Sequence, residues 1–135
     1  MLRLAPGGRE VLAIGYRALL ESPLASRLTI SEQEFVDSTI HYHVIGLYDN
    51  LKPVGMFFYE ENRIHIAILP EYRGKWAHLF DDIIQYGINK FGSVIAKIHK
   101  DNKYTQRLAT RYGFHYIKHE DDYIIYQIGE ICLEE

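Results

Sequence analysis

The sequence has a single cysteine, Cys132, so no disulfide can close within the chain. That fits a reducing compartment, and with no histidine or cation beside it the thiol is expected to be inert. No apolar run approaches the roughly 18 to 20 residues of a membrane span, and the first residues lack the pattern of a signal peptide. The expected location is cytoplasmic. An excess of positive charge is also missing. Lys and Arg number 15 against 18 Asp and Glu, a net charge of −3, which disfavours general nucleic-acid binding. There is no repeat, no linker and no low-complexity tract. What is there, 47% hydrophobic and 13% aromatic residues, describes one folded domain, residues 1–135, with one core.

The charge is unevenly spread. Lys97, Lys100, Lys103, Arg107 and Arg111 lie close in sequence with Asp101 the only acid among them. Acids gather at Glu60-Glu61, at Glu120-Asp121-Asp122 and at Glu134-Glu135. A local basic patch on an acidic protein suits a small anionic ligand better than a polymer.

The stretch from Arg63 to Phe91 organises the rest. Ile64, Ile66, Ala67, Ile68 and Leu69 read as a buried strand, which Pro70 ends because it cannot donate to a ladder. After Arg73-Gly74 the period changes. Trp76, Leu79, Phe80, Ile83, Ile84, Gly87, Ile88 and Phe91 predict one face of a long helix. A strand, a glycine turn and a helix start make an anion site, to which Arg73 and Lys75 add charge.

Around this unit the chain reads in order. Met1 to Ala5 is a short edge strand, and Val11, Leu12, Ile14, Ala18 and Leu19 give a helix that ends before Pro23. Ser31 with Glu34 is a capping box opening a second helix. His43 to Tyr48, Val54 to Tyr59 and the central strand form an antiparallel meander. Gly92 ends the long helix, and Val94 to Ile98 is a strand parallel to the central one, because a crossover of that length joins them. Asn102 caps a further helix that Gly113 stops. Phe114 to Lys118 and Tyr123 to Ile128 are the last strands, with Ile124, Ile125 and Ile128 apolar enough to pair between subunits of a homodimer. The fold class is α/β: a mixed, mostly antiparallel twisted sheet with a central βαβ crossover and helices on both faces.

Two segments of this plan resemble the Gcn5-related N-acetyltransferases, the GNAT superfamily. The first is Pro70-Glu71-Tyr72-Arg73-Gly74-Lys75-Trp76-Ala77-His78, placed where the family has a loop of Arg or Gln, two residues, Gly, one residue, then Gly or Ala. The second is Asn102, a helix, then Tyr112-Gly113-Phe114, where the family has Asn, a helix and Gly-Phe. The resemblance implies a GNAT-like fold and acetyl-CoA as cosubstrate. It implies pyrophosphate on the amides of Arg73, Gly74, Lys75, Trp76, Ala77 and His78, and backbone contacts from Ile66, Ala67 and Ile68. Asn102 and Lys103 belong to the second contact, with His99 and Lys100 near the adenosine 3′-phosphate. Two departures stand out: Trp76 and His78 replace small residues of the loop, and Ala109 occupies the place of the family's tyrosine acid.

Direct acetyl transfer to an amine needs a base, donors for the thioester oxygen and an acid for the thiolate. His65, Glu60 and Glu61 are base candidates at the central strand, and Tyr104 and Tyr112 are acid candidates on the second motif's helix. His65 equally reads as a sheet histidine bonded to a neighbour, and the glutamates as solvated turn acids. His41 and His43 would share one strand face, but no third ligand accompanies them, so no metal is expected. The acceptor is a small-molecule or protein amine. The second functional class is a GNAT-fold protein that has lost catalysis and serves as a structural or interaction module, phage-encoded and virion-associated for example.

Overall fold

Three tight turns and one helical crossover set the topology. The computed structural model describes residues 1–22, 25 and 28–129. The elements are β1 (Leu2–Pro6), α1 (Arg9–Leu20), α2 (Glu32–Thr39), β2 (Val44–Asp49), β3 (Lys52–Glu60), β4 (Arg63–Ile68), α3 (Phe80–Phe91), β5 (Ser93–His99), α4 (Lys103–Tyr112), β6 (His115–Glu120) and β7 (Tyr123–Gly129). The strands form a seven-stranded sheet in the order β1-β2-β3-β4-β5-β7-β6. It is mixed and mostly antiparallel, with β4 and β5 parallel across α3. Asn50, Glu61 and Asp121 open the three hairpin turns with φ of 58°, 55° and 57°. Such a backbone costs an L-residue about 1–2 kcal/mol. Asn and Asp tolerate it through local hydrogen bonds, an outlet that Glu61 lacks.

The chain gathers into two compact units. The first comprises residues 1–59 and 65–79. In it β1 pairs with β2 from Leu2↔Asp49 to Pro6↔Ile45, and β2 pairs with β3. Val11 and Leu12 of α1 are fully buried, together with Leu47, Val54 and Phe57. A side chain at Gly15 would place its Cβ 2.2 Å from Met56 Sδ, so α1 rests on β3 as closely as glycine allows. The Ser31–Glu34 capping box forms at the start of α2.

The second unit comprises residues 60–64 and 80–135, described here to Gly129. The parallel ladder of β4 with β5 consists of Arg63↔Ile95 and Ile64↔Ala96. β5 pairs antiparallel with β7 from Ser93↔Gly129 to His99↔Tyr123. Phe80, Ile83, Ile84, Val94, Ala109 and Phe114 are buried. Gly113 closes α4 at φ 119°, its N–H bonded to the carbonyls of Ala109 and Thr110.

Three expectations need correction. The long helix begins at Phe80, not after Gly74: a 3-10 turn at Pro70–Tyr72 and another at Ala77–Leu79 precede it. Trp76 is a core residue, but the chain there is not helical. β7 lies between β5 and β6, so its two hydrogen-bonding edges are used within the sheet. Apolar Ile124 and Ile125 mark an inner strand; the edge strand is β6. Finally, His41 and His43 precede β2, which starts at Val44, so they do not share a strand face. Among the described residues no group of three metal-ligating side chains forms, and no helix is long and apolar enough to cross a membrane. Cys132 and Pro23 lie outside the described residues.

Candidate functional site

The first unit holds the candidate residues of β4 and the loop after it. The two-residue turn at Glu61-Asn62 places Phe58 of β3 opposite His65 of β4. Their rings stack at 4.6 Å with 12° between planes. Phe58 also stacks on Tyr42 at 5.3 Å, and Tyr42 lies 4.2 Å from His41. His65 is thus half-buried and stacked in a series of rings that runs through Phe58 and Tyr42 to His41. Ile66 beside it is half-buried, and Ala67 and Ile68 are buried.

The loop that follows is anchored at its start. Tyr72 donates to Asp49 Oδ2 at 2.8 Å. That hydrogen bond holds the Asp49 carboxyl below its usual range and pushes the Tyr72 phenol up. Arg73 Nη2 donates to the Glu21 carbonyl at 3.2 Å. The N–H groups of Arg73 and Lys75 turn back onto the carbonyls of Pro70 and Tyr72. Gly74 then takes φ +83°, a backbone that glycine adopts without strain. The N–H groups of Gly74, Ala77 and His78 meet no acceptor among the described residues. Trp76 points the other way: it is 2% exposed and meets Phe57 edge-on at 5.8 Å. Arg73, Gly74, Lys75, Ala77 and His78 are exposed. Amides that meet no described acceptor, in a loop with two exposed cations, are groups of the kind that bind an anion, and the Trp76 side chain is buried away from them.

The second unit holds the remaining candidates. Asn102 Oδ1 accepts the Thr105 N–H at 3.2 Å, so its side chain caps α4. Lys103 is exposed. His99 Nδ1 accepts the Asp101 N–H at 3.1 Å, and Lys100 Nζ lies 3.5 Å from Asp122; both are engaged within the unit. Ala109 is 1% exposed. Tyr112 donates to Asp81 of α3 and accepts from Gln85 Nε2 at 3.2 Å, with its ring edge-on to Phe80 at 5.2 Å. Burial first, and the Asp81 bond second, push its phenol pKa up. Tyr112 is therefore a strut from α4 to α3, its hydroxyl engaged by Asp81 and Gln85. Tyr104 is half-buried. Glu61 is exposed at the tip of its turn, and Glu60 is exposed at the end of β3.

Three contributors escaped the sequence reading. Phe58 was legible in principle, because the Glu61-Asn62 turn fixes its register against His65. Asp49 and Asp81 were not, since each meets its tyrosine across 23 and 31 residues of chain.

No protein-family model matches the chain, and no curated protein matches it in sequence. Solved structures do. The ribosomal-protein-S18-alanine N-acetyltransferase of Escherichia coli superposes with a TM-score of 0.72 at 16% identity, covering 96% of this chain and 94% of that one. An N-acetyltransferase from Staphylococcus aureus Mu50 gives 0.74 at 15% identity, covering 96% and 98%. The PaiA N-acetyltransferase of Thermoplasma acidophilum, solved in complex with coenzyme A, gives 0.67 at 14% identity, covering 96% and 99%. The strand order, the crossover through α3 and these superpositions agree: the chain has the fold of the GNAT N-acetyltransferases.

Proposed function

We propose that the protein is an acetyl-CoA-dependent N-acetyltransferase that moves an acetyl group directly to a small-molecule or protein amine. The observation that carries this reading is the loop from Arg73 to His78: Gly74 at φ +83°, N–H groups of Gly74, Ala77 and His78 that meet no acceptor among the described residues, and two exposed cations. These amides, with Arg73 and Lys75, hold the pyrophosphate. The backbone of Ile66, Ala67 and Ile68 receives the pantetheine arm, and an N–H near Ile68 polarises the thioester carbonyl. Bound acetyl-CoA supplies an activated acyl group. His65 takes the proton from the attacking amine as the new C–N bond forms and the C–S bond breaks; Glu61 at the turn is the alternative base. Tyr104 or solvent protonates the thiolate, since Tyr112 is held by Asp81.

A second reading is favoured by one observation. Ala109, which cannot donate a proton, stands buried where the family's tyrosine is expected. On this reading the fold persists as a structural or interaction protein. The test is calorimetric titration with acetyl-CoA, followed by thiol release over a panel of amines. Binding with turnover supports the transferase. Binding without turnover on any amine supports the lapsed fold, and no binding removes both the cosubstrate and the enzyme.

A further inference from the structure

Helix α4 carries Lys103, Arg107 and Arg111 and no acid. Other basic side chains of the same unit are engaged. Lys97 and Lys118 lie 3.1 and 3.7 Å from Glu120, Lys100 lies 3.5 Å from Asp122, and Lys90 sits over the rings of Tyr86 and Phe91. Arg107 and Arg111 have no carboxylate partner among the described residues. Four residues apart, they lie on one side of the helix, close enough to act on one ligand.

Beside them is an open groove of about 310 Å³ lined by Gln106, Arg107, Thr110, Arg111 and Tyr126. Gln106 is pinned, its Nε2 donating to the carbonyls of His99 and Lys100 at 3.1 and 2.8 Å. Tyr126 of β7 is 8% exposed, and its hydroxyl bonds to no described residue. No described side-chain oxygen or nitrogen is both sealed from solvent and unpaired. The Tyr126 hydroxyl therefore reaches solvent, and the Tyr126 side chain lines the groove. Among the described residues, then, one groove is lined by a nearly buried tyrosine whose hydroxyl has no partner and by two arginines with no carboxylate partner.

The number of donors narrows the ligand. One guanidinium already satisfies a carboxylate through a bidentate pair. Two guanidiniums with the hydroxyls of Tyr126 and Thr110 exceed what its two oxygens accept. A phosphate monoester has three terminal oxygens and close to two charges at neutral pH. The volume lies at the small end of ligand pockets. We propose that the groove between α4 and β7 binds a small phosphate monoester, gripped by Arg107 and Arg111 with the Tyr126 hydroxyl beneath. None of these residues is among those assigned to acetyl-CoA above, and the proposal does not depend on that assignment.

Phenyl phosphate titrated into the full ¹⁵N-labelled chain tests it, with the side-chain N–H signals of Arg107 and Arg111 as readout. Saturable shifts at both are expected, with benzoate binding at least about tenfold more weakly. Arg107→Gln and Arg111→Gln should each weaken phenyl phosphate by roughly tenfold or more, and Tyr126→Phe by a few-fold. The arginines are exposed and Tyr126→Phe removes one oxygen, so the fold should survive; the amide spectrum checks this. Equal affinity for benzoate would overturn the phosphate assignment. Failure to saturate, or unchanged affinity in the arginine variants, would reduce the face to solvated charge. Displacement of phenyl phosphate by acetyl-CoA but not by its dephospho form would make the groove the seat of the cosubstrate's 3′-phosphate and overturn a separate site.

Discussion

The loop from Arg73 to His78 and the helix α4 carry the two segments that resemble the acetyltransferases, and they depart from that pattern in different ways. In the loop the candidate chemistry belongs to backbone N–H groups. Trp76 stands there in place of a small residue but turns inward onto Phe57, and the amides of Gly74, Ala77 and His78 meet no acceptor among the described residues. In α4 the expected chemistry belongs to one side chain, and Ala109 deletes it. A site made of backbone tolerates replacement wherever the new side chain finds the core. A site made of a hydroxyl does not.

Substitutions can break that contrast. The largest effect is expected for Trp76→Ala, which removes a fully packed ring: about 3–5 kcal/mol of stability by denaturant unfolding. His78→Ala, two residues on and exposed, should stay within about 0.5 kcal/mol. If both cost the same, the inward and outward division of the loop is wrong. Next, Gly74→Val puts a β-branched residue at φ +83°. Acetyl-CoA affinity should fall by roughly 10- to 100-fold in calorimetry, the loss of a strained backbone and close approach; unchanged affinity would move the cosubstrate elsewhere.

On the α4 side, Tyr112→Phe should lower stability by up to about 1 kcal/mol through loss of the Asp81 bond. Its turnover should stay within a few-fold, whereas Tyr104→Phe should lower turnover by about 10²-fold or more if that phenol is the acid. A collapse of turnover in Tyr112→Phe would restore it as the donor. A smaller effect is expected with pH. The folded Asp49 carboxyl titrates below its ordinary 3.8, chiefly because Tyr72 donates to it. Its contribution is present above that ordinary value and is lost as pH falls through the lower folded one. In Tyr72→Phe the acid limb of the stability profile should therefore be shallower; identical limbs would show that the loop anchor is not made in solution. The smallest effect concerns Glu61→Asn, which relieves the left-handed turn by a few tenths of a kcal/mol. Thermal denaturation should show the gain with turnover unchanged, and a hundredfold loss of turnover would instead make Glu61 the base.

Much of the architecture was legible in local chemistry. The capping box at Ser31, the cap at Asn102, the stop at Gly113 and the turn residues fixed the order of elements. The helix start was misread because Trp76, Leu79, Phe80 and Ile83 keep a helical spacing while the chain is still in a 3-10 turn. Periodicity reports which side chains face the core, not which carbonyl each N–H meets. The same limit explains β7. Its apolar run suggested an exposed surface, but inner strands are apolar because both faces and both edges are covered. Of the candidate site, the loop was readable because Gly74 and two cations are adjacent in sequence. The ties that position it and Tyr112, from Asp49 and Asp81, join residues far apart and left no local sign.

β6 has one further consequence. All six of its residues are exposed, among the described residues it pairs only with β7, and the register shifts between Tyr116 and Lys118. The bulge and Lys118 blunt the outer edge against strand addition by other molecules. Few buried contacts hold it, so β6 should be the strand that detaches at lowest free energy, and its amides should exchange hydrogen fastest in the sheet. Each detachment uncovers the edge of β7, with the apolar Ile124 and Tyr126 on it and no bulge to protect it. Aggregation of this protein would then begin from an almost native molecule with one strand peeled away, and adding salt bridges or bulk to β6 would raise its shelf life without touching the candidate site.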